Sequence, residues 1–328
     1  MFGNKILDIV FAPWAVNVLY CANRLKIFNL LTEKNKTAEE LAAAVGAVPR
    51  FLSALLDGCV AIGLLQLKDN QYKNSYLSNI YLVEGKPFYL GDIIEVMYNE
   101  TGNWERLYSL VTGSGETGMK EAKKEVSPHR FTMAMNNLAM QGEAGALAAA
   151  VDLSGCKNMV DVGCGSGLYS IFLCRCYPDL HATLLDMKEV LETTQHIIEM
   201  NNLQDRIKTR KADISKDSYG DNLDVVLLSD VLYQEKSFCM TILQSAYKAL
   251  APGGTLIVRG YYADPGGANP GFGSLFNLAR LLDNPQREFI SVSLLSQWIE
   301  QVGFKIFNLF PLTERSVCII ANRPTFIG

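Results

Sequence analysis

The order of elements written in this chain predicts an α/β fold. A doubly wound, seven-stranded, mostly parallel sheet ends in an antiparallel hairpin and follows an all-helical N-terminal region. Three observations carry that expectation. From about residue 156, short apolar runs (NMVDVG, ATLLDM, IKTRKADI, LDVVLLSD, GTLIVRGYY) alternate with helical stretches (LYSIFLCRCY, EVLETTQHIIEMN, FCMTILQSAYKAL), the pattern of parallel strands covered on both faces. The last two runs, FKIFNLFPL and SVCIIANR, follow the helical SVSLLSQWIEQVG and are separated only by a short LTERS turn, which leaves no room for a crossover and makes them antiparallel. The first 150 residues carry helical rather than strand spacing.

In that first part, residues 6–31 hold apolar positions at helical spacing and are expected to break at Pro13. Thr37 is placed to cap the next helix, with Glu40 three residues on completing a capping box and Gly46 closing it. Pro49 opens PRFLSALLDGCVAIGLL at a first-turn position, and LLQLKDNQYKNSYL reads as a hairpin turning at Lys68-Asp69-Asn70. Helix, helix, helix and hairpin make a winged-helix pattern. The helix that would enter a DNA groove offers only Arg50 beside Asp57, whereas a reading helix needs several Arg, Lys, Asn or Gln on one face, so packing against protein is expected instead. Further helices follow over residues 86–150, with a hinge-like stretch from Val111 to Gly118 and a Met- and Phe-spaced segment around Phe131, Met135 and Met140. The expected organisation is residues 1–110 as a dimerisation domain, 111–150 as a helical linker lining the substrate, and 151–328 as the domain that carries the chemistry.

Composition removes several alternatives. With 49% hydrophobic and 20% charged residues in 328, the chain can bury sizeable cores, and general disorder is excluded. A net charge of −4 offers no footprint for a phosphate backbone, so no nucleic-acid partner is expected. No uninterrupted apolar run approaches the ~20 residues of a membrane span, and the first residues lack the basic start and cleavage pattern of a secretory signal. No membrane partner and a cytoplasmic location are expected. The eight cysteines form no CxxC pair, and Cys174 and Cys176 read as reduced, buried thiols, in keeping with a reducing compartment. No metal is expected.

The clearest site lies where the first parallel strand meets its helix, at Val160-Asp161-Val162-Gly163-Cys164-Gly165-Ser166-Gly167-Leu168. Glycines there permit a tight turn and let a ligand approach the backbone at the carboxyl edge of the sheet. Counted from Gly163, the dinucleotide fingerprint fails at Leu168; counted from Gly165, Ser170 takes the last place. Asp161, two residues before the first glycine, would repel a pyrophosphate but could accept from an ammonium or bind through water. Asp186 ends the second strand 23 residues beyond Gly163, where a carboxylate suits the two hydroxyls of a ribose. A nucleoside with an amino-acid tail satisfies both acids.

These motifs resemble those of class I S-adenosylmethionine (SAM) methyltransferases. More closely, the chain is similar to the small-molecule O-methyltransferases that carry an N-terminal winged-helix dimerisation domain, the caffeic-acid and hydroxyneurosporene type. The likeness covers about residues 15–322 and rests on RLKIFNLLTEKNKTAEELAAAVG, FTMAM, VDVGCGSG, LLDM, KADI, SDVLYQE, ALAPGGTLIV and LLSQWIEQVGF. It implies a Rossmann-like core, SAM as methyl donor with S-adenosylhomocysteine as product, a small-molecule methyl acceptor, and a homodimer joined through the N-terminal domain. It further implies that Gly163, Gly165 and Gly167 pass the methionine part of SAM and that Asp186 binds the ribose, with Met187 beside the adenine. Asp213 and Ile214 would contact the adenine edge and face, and Ser229 and Asp230 would lie under the sulfonium. Acceptor-side candidates are Trp104, Phe131, Met135, Tyr233, Phe272 and Phe276. The insert from Tyr261 to Gly273, rich in Gly and Pro, reads as a mobile lid or an ordinary surface loop.

One departure bears on mechanism. In the O-methylating members the loop after the fourth strand supplies a histidine base; here it reads Val231-Leu232-Tyr233-Gln234-Glu235, so Tyr233 stands in the catalytic place. A second family acid is replaced by Gln286. Tyrosine, which ordinarily ionises near pH ~10, is a poor base at neutral pH. Methyl transfer is therefore expected to run on proximity and orientation. The alternatives are a catalytically silent SAM-binding protein and a SAM enzyme of other chemistry on the same fold.

Overall fold

A computed structural model describes residues 5–113, 126–263, 271–284 and 287–325. The chain divides into two compact units, residues 1–101 with 120–138, and residues 102–119 with 139–328.

The first unit opens with α1 (Lys5–Arg24), α2 (Ile27–Leu30), α3 (Ala38–Val45) and α4 (Pro49–Ala61), then the β1 (Leu65–Lys68) and β2 (Gln71–Asn74) hairpin, α5 (Tyr76–Tyr81) and α6 (Gly91–Asn99). The capping box forms as expected: Glu40 N donates to Thr37 Oγ1 at 3.3 Å and Thr37 N donates to Glu40 Oε2 at 2.8 Å, while Gly46 ends α3 in the left-handed region. Asp69 and Asn70 both take positive φ at the hairpin turn, the backbone that matches right-handed strand twist. Apolar faces of α2, α3 and α4 close on Ile27, Phe28, Leu41, Leu52 and Leu56.

Pro13 does not break α1, which runs through it. Proline removes one N–H from the ladder, and around it the helix lies open to solvent, with Ile9 61% and Trp14 68% exposed. Only Ala22 and Asn23 of α1 are buried. By length and composition this helix could also cross a membrane, because its scattered Lys5, Asp8 and Arg24 interrupt the apolar run without dominating it. Ile6, Ile9, Val10 and Trp14 on α1, with Val48 and Phe51 at the start of α4, form an apolar surface that this unit does not cover.

The second unit takes in α7 (Leu107–Thr112), while α8 (Pro128–Leu138) returns to the first. A one-turn π segment, Ala139–Glu143, with non-helical backbone at Gln141 and Gly142, leads to α9 (Ala144–Ala150). The sheet then builds from β3 (Asn158–Val162), α10 (Leu168–Cys176), β4 (His181–Asp186), α11 (Lys188–Met200), β5 (Ile207–Lys211), β6 (Leu223–Ser229), α12 (Lys236–Ala249) and β7 (Leu250–Gly260). After α13 (Gly271–Asp283) and α14 (Val292–Val302), β8 (Lys305–Pro311) and β9 (Val317–Asn322) complete it in the order β5-β4-β3-β6-β7-β9-β8. The first five pair in parallel, and β9 is antiparallel to both β7 and β8.

Strand β7 starts at Leu250, earlier than the expected Gly254, because Leu250 pairs with Leu223 across a register shift. The helix α13 was not legible beside the Gly/Pro-rich stretch before it, of which residues 264–270 lie outside the described residues. The two neighbouring thiols also part company: Cys174 is buried and Cys176 exposed, since residues two apart on a helix face different sides.

Replacing Thr37 by alanine is expected to destabilise the protein by about 1 kcal/mol through loss of the cap. Denaturant melts of the wild type and the variant read this directly; an unchanged midpoint would remove the cap from the account of α3.

Candidate active site

Strand order reverses between β3 and β6, and a crevice at the carboxyl ends of such strands is where open α/β sheets hold ligands. The glycine turn fills this place. Gly163 and Cys164 donate to the Leu185 carbonyl at 2.8 and 3.1 Å, Gly165 N donates to Asp186 Oδ2 at 2.9 Å, and Thr194 Oγ1 donates to the Gly165 carbonyl at 2.6 Å. The turn is thus stitched to the end of β4 and the middle of α11. Gly167 has φ +72°, and a Cβ there would sit 2.6 Å from Leu184 Cδ2, so helix–strand packing demands glycine. At Gly165, φ +53°, a Cβ would meet nothing within 4 Å. That open side of the turn is room for a ligand.

Asp161 lies beneath it, 1% exposed. Ser170 Oγ donates to its Oδ2 at 2.6 Å, while Oδ1 is buried with no hydrogen-bond partner among the described residues. Burial pushes this carboxyl up to about 7, with Ser170 opposing the shift and the Asp186 charge adding to it. A buried carboxylate oxygen without a donor fits a cationic group such as an ammonium. Asp186 is also raised by burial, against the pull of two backbone N–H groups, Gly165 on Oδ2 and Met187 on Oδ1 at 2.8 Å. Each of its oxygens keeps a lone pair, which fits a vicinal diol. The donor and acceptor set therefore fits SAM's ammonium tail and ribose.

Beside Asp186, Met187 is 60% exposed. Ile214 is half-buried and reaches the turn, its Cδ1 3.7 Å from where a Gly163 Cβ would stand, and Val231 closes on the same point at 3.0 Å. Asp213 is already engaged: Ser215 N and Oγ donate to it at 3.0 and 2.6 Å and Lys216 Nζ at 2.7 Å, which hold its carboxyl down at about 2.

The neighbouring strand ends carry a buried ionic network that sequence reading missed. Arg259, near the end of β7 and 0% exposed, pairs through Nη2 with Glu143 Oε2 at 2.6 Å and through Nη1 with Asp230 Oδ2. Burial works against the Glu143 charge, but Arg259, Ser316 and Thr313 overcome it and hold its carboxyl below the ordinary range. Ser316 Oγ donates to Glu143 at 2.5 Å, Thr313 Oγ1 at 2.7 Å, and Arg315 approaches at 3.5 Å. Ser229 pairs across the sheet with Arg259, and Asp230, with φ +54°, donates its N–H to the Arg259 carbonyl at 2.8 Å. The guanidinium also lies 4.3 Å from the Tyr261 ring and 5.4 Å from that of Tyr169. The one available signal was a charge inside the apolar run LIVRGYY.

Of the expected acceptor-side residues, the second unit brings three together. Phe276 meets Tyr233 edge-on at 6.5 Å and stacks with Phe272 at 6.4 Å, and Tyr261, which was not foreseen, touches both phenylalanines at 5.2 and 5.0 Å. Trp104 belongs to this unit on a 3-10 turn, 37% exposed. Phe131 and Met135 belong to the first unit on α8, where Met135 packs with Ile93, Val96 and Ala134. Gln286 lies outside the described residues. A separate open depression at the amino ends of β3, β4 and β5, lined by Asn158, His181 and Arg206, is at the wrong edge of the sheet for this chemistry.

The raised carboxyl of Asp161 has a consequence for the ligand-free protein. Its folded value, about 7, exceeds the ordinary 3.8. Its contribution to stability is therefore complete below that ordinary value and is lost as pH rises toward the folded one. Melting temperatures measured across this window are expected to fall with pH in the wild type and to flatten in Asp161→Asn. Parallel curves for the two proteins would remove Asp161 as the source.

Comparison with known proteins agrees with this architecture. A family model described as the O-methyltransferase domain matches residues 88–284, and one for the O-methyltransferase dimerisation domain matches residues 7–84. The chain is 28% identical over 309 residues to a 3-hydroxy-5-methyl-1-naphthoate 3-O-methyltransferase of Streptomyces sahachiroi, covering 91% of this chain and 88% of that one. It is 26% identical over 278 residues to the N,N-dimethyltransferase OxyT of Streptomyces rimosus, covering 80% and 79%. In fold it is similar to human N-acetylserotonin methyltransferase solved in complex with SAM, with a TM-score of 0.81, 23% identity, and coverage of 98% and 97%. The reversed strand order, the glycine turn between two acids and these matches agree: the chain belongs to the O-methyltransferase family, SAM-dependent methyltransferases that carry an N-terminal dimerisation domain.

Proposed function

We propose that this protein transfers the methyl group of SAM to a medium-sized apolar or aromatic small molecule held against Tyr233, Phe272 and Phe276. The observation that carries the reading is a juxtaposition on one sheet edge. The turn between Asp161 and Asp186 and the aromatic cluster lie at the carboxyl ends of adjacent parallel strands. The Streptomyces sahachiroi relative, named for a hydroxynaphthoate, supports an aromatic acceptor. The OxyT relative, named for N-methylation, keeps nitrogen open beside oxygen.

In this reading SAM supplies an activated methyl group on a sulfonium. Asp161 receives its ammonium, the open side of Gly165 lets the methionine chain past, with Gly163 and Gly167 shaping the turn, and Asp186 takes the ribose hydroxyls. Met187 and Ile214 flank the adenine near Asp213, and Ser229 and Asp230 stand at the sulfonium end. Tyr233 orients the acceptor by hydrogen bond and does not serve as the base. The acceptor's proton leaves to solvent, and rate comes from in-line placement, an effect that alone reaches about 7–11 kcal/mol in well-oriented systems.

The same proposal includes a homodimer joined through residues 1–110. The exposed Ile9, Val10 and Trp14 of α1, with Phe51 of α4, lie inside the dimerisation-domain match, and exposed apolar side chains of this kind are buried by a symmetric partner. Light scattering of the full chain is then expected to give about twice 36.3 kDa. A species that stays monomeric at tens of micromolar would overturn the dimer.

For the donor site, Asp186→Ala is expected to weaken S-adenosylhomocysteine binding by about tenfold or more in calorimetry, since a charged acceptor is worth ~1.5–3 kcal/mol. Unchanged affinity would sink the site assignment. Incubating the wild type with SAM and a pool of hydroxyarenes and aryl amines is expected to release S-adenosylhomocysteine. Tight binding with no turnover across the pool would favour the silent SAM-binding alternative.

A further inference from the structure

Helix α13 places one cation among the acceptor-side rings. The Arg280 guanidinium carbon lies 5.6 Å from the ring centres of both Tyr233 and Phe276. Its Nε is buried with no hydrogen-bond partner, and among the described residues no carboxylate pairs with it. The other arginines near this edge also keep a buried nitrogen without a hydrogen bond, Arg259 Nε and Arg287 Nη1, but each has a carboxylate: Arg259 is held by Glu143 and Asp230, and Arg287 lies 3.5 Å from Asp283. A half-buried guanidinium over two rings with no carboxylate partner among the described residues is poorly satisfied by them. The ring faces hold it in place, and its charge is the part those rings leave uncompensated.

We infer that Arg280 is the anion-recognising residue of the acceptor subsite and that the acceptor is an aromatic acid, its carboxylate meeting the Arg280 guanidinium while its ring packs against Tyr233, Phe272 and Phe276. The inference rests on the acceptor reading above and narrows it. Guanidinium and carboxylate are matched in plane and in charge, whereas an ammonium is repelled there and a neutral amide offers one carbonyl acceptor and no charge. The donor is cationic at its sulfonium, so an acceptor entering between that charge and Arg280 is favoured if it carries a negative one.

The test uses the full-length enzyme saturated with S-adenosylhomocysteine, into which a hydroxynaphthoate and its carboxamide are titrated separately. The acid is expected to bind about tenfold more tightly than the amide, the size of a charge-assisted hydrogen bond. Arg280→Gln is expected to bring the acid close to the affinity of the amide, weaken the amide less than the acid, and keep S-adenosylhomocysteine affinity at the wild-type value; Arg280→Lys is expected to retain part of the preference. An acid-to-amide ratio that is the same in the wild type and in Arg280→Gln overturns the assignment. So does a wild-type ratio near one, a readout that stands even if Arg280→Gln does not fold. If the amide binds and the acid binds no better, Arg280 alone is misassigned. If neither compound binds to the loaded enzyme, the aromatic-acceptor reading falls with it.

Discussion

A guanidinium with no access to water holds the second unit together at its working edge. Arg259 cannot be left uncompensated, because breaking a buried ion pair costs about 3–5 kcal/mol. Its two carboxylates therefore have to be delivered from far along the chain. Glu143 arrives from the kinked π segment before α9, and Asp230 from the loop after β6. Thr313, Arg315 and Ser316 then close the Glu143 side from the turn between β8 and β9. Three segments outside the regular strands, the π segment, the loop after β6 and the β8–β9 turn, are gathered around one residue of β7.

That constraint sets what lies around it. Asp230 is held with φ +54°, a conformation that a non-glycine residue keeps only when its surroundings over-determine it. From there the chain turns through Val231 against the glycine turn and on to Tyr233 among the rings. Tyr261, stacked on the same guanidinium, holds Phe272 and Phe276 from the other side. The donor side is built differently. Its carboxylates, Asp161 and Asp186, are left partly unsatisfied by the protein, and it is the glycine turn that fixes them in place. One side of this edge is satisfied by internal ion pairs, whereas on the other Asp161 Oδ1 has no hydrogen-bond partner among the described residues.

Much of this was legible in the sequence, for reasons that differ by element. The sheet could be read because buried parallel strands are short apolar runs at regular intervals, and the glycine turn because strained backbone has few acceptable residues. Thr37 and Glu40 announced their helix by a local rule that tertiary packing does not override. Pro13 misled, since a proline interrupts a helix only when the lost hydrogen bond cannot be tolerated, and an exposed helix tolerates it. The ionic network stayed hidden because Glu143 and Arg259 are far apart in the chain, and nothing local marks one as the partner of the other. Arg280 is equally silent in sequence: a basic residue on an amphipathic helix reads as a solvated face until the rings beneath it are known.

The position of β9 has a consequence for the order in which the molecule can be made. β9 lies between β7 and β8, so β8 reaches the sheet only through a strand that follows it in the chain. During synthesis, residues 158–260 can assemble their parallel strands, but the edge of β7 stays open until residues 317–322 have left the ribosome. Glu143 meets the same delay, because Thr313, Arg315 and Ser316, which complete its set of partners, precede β9 by only a few residues. An open strand edge beside an incompletely hydrogen-bonded carboxylate is the species most exposed to aggregation. Nascent chains of this fold therefore have their greatest need of a chaperone late, when most of the sheet already exists.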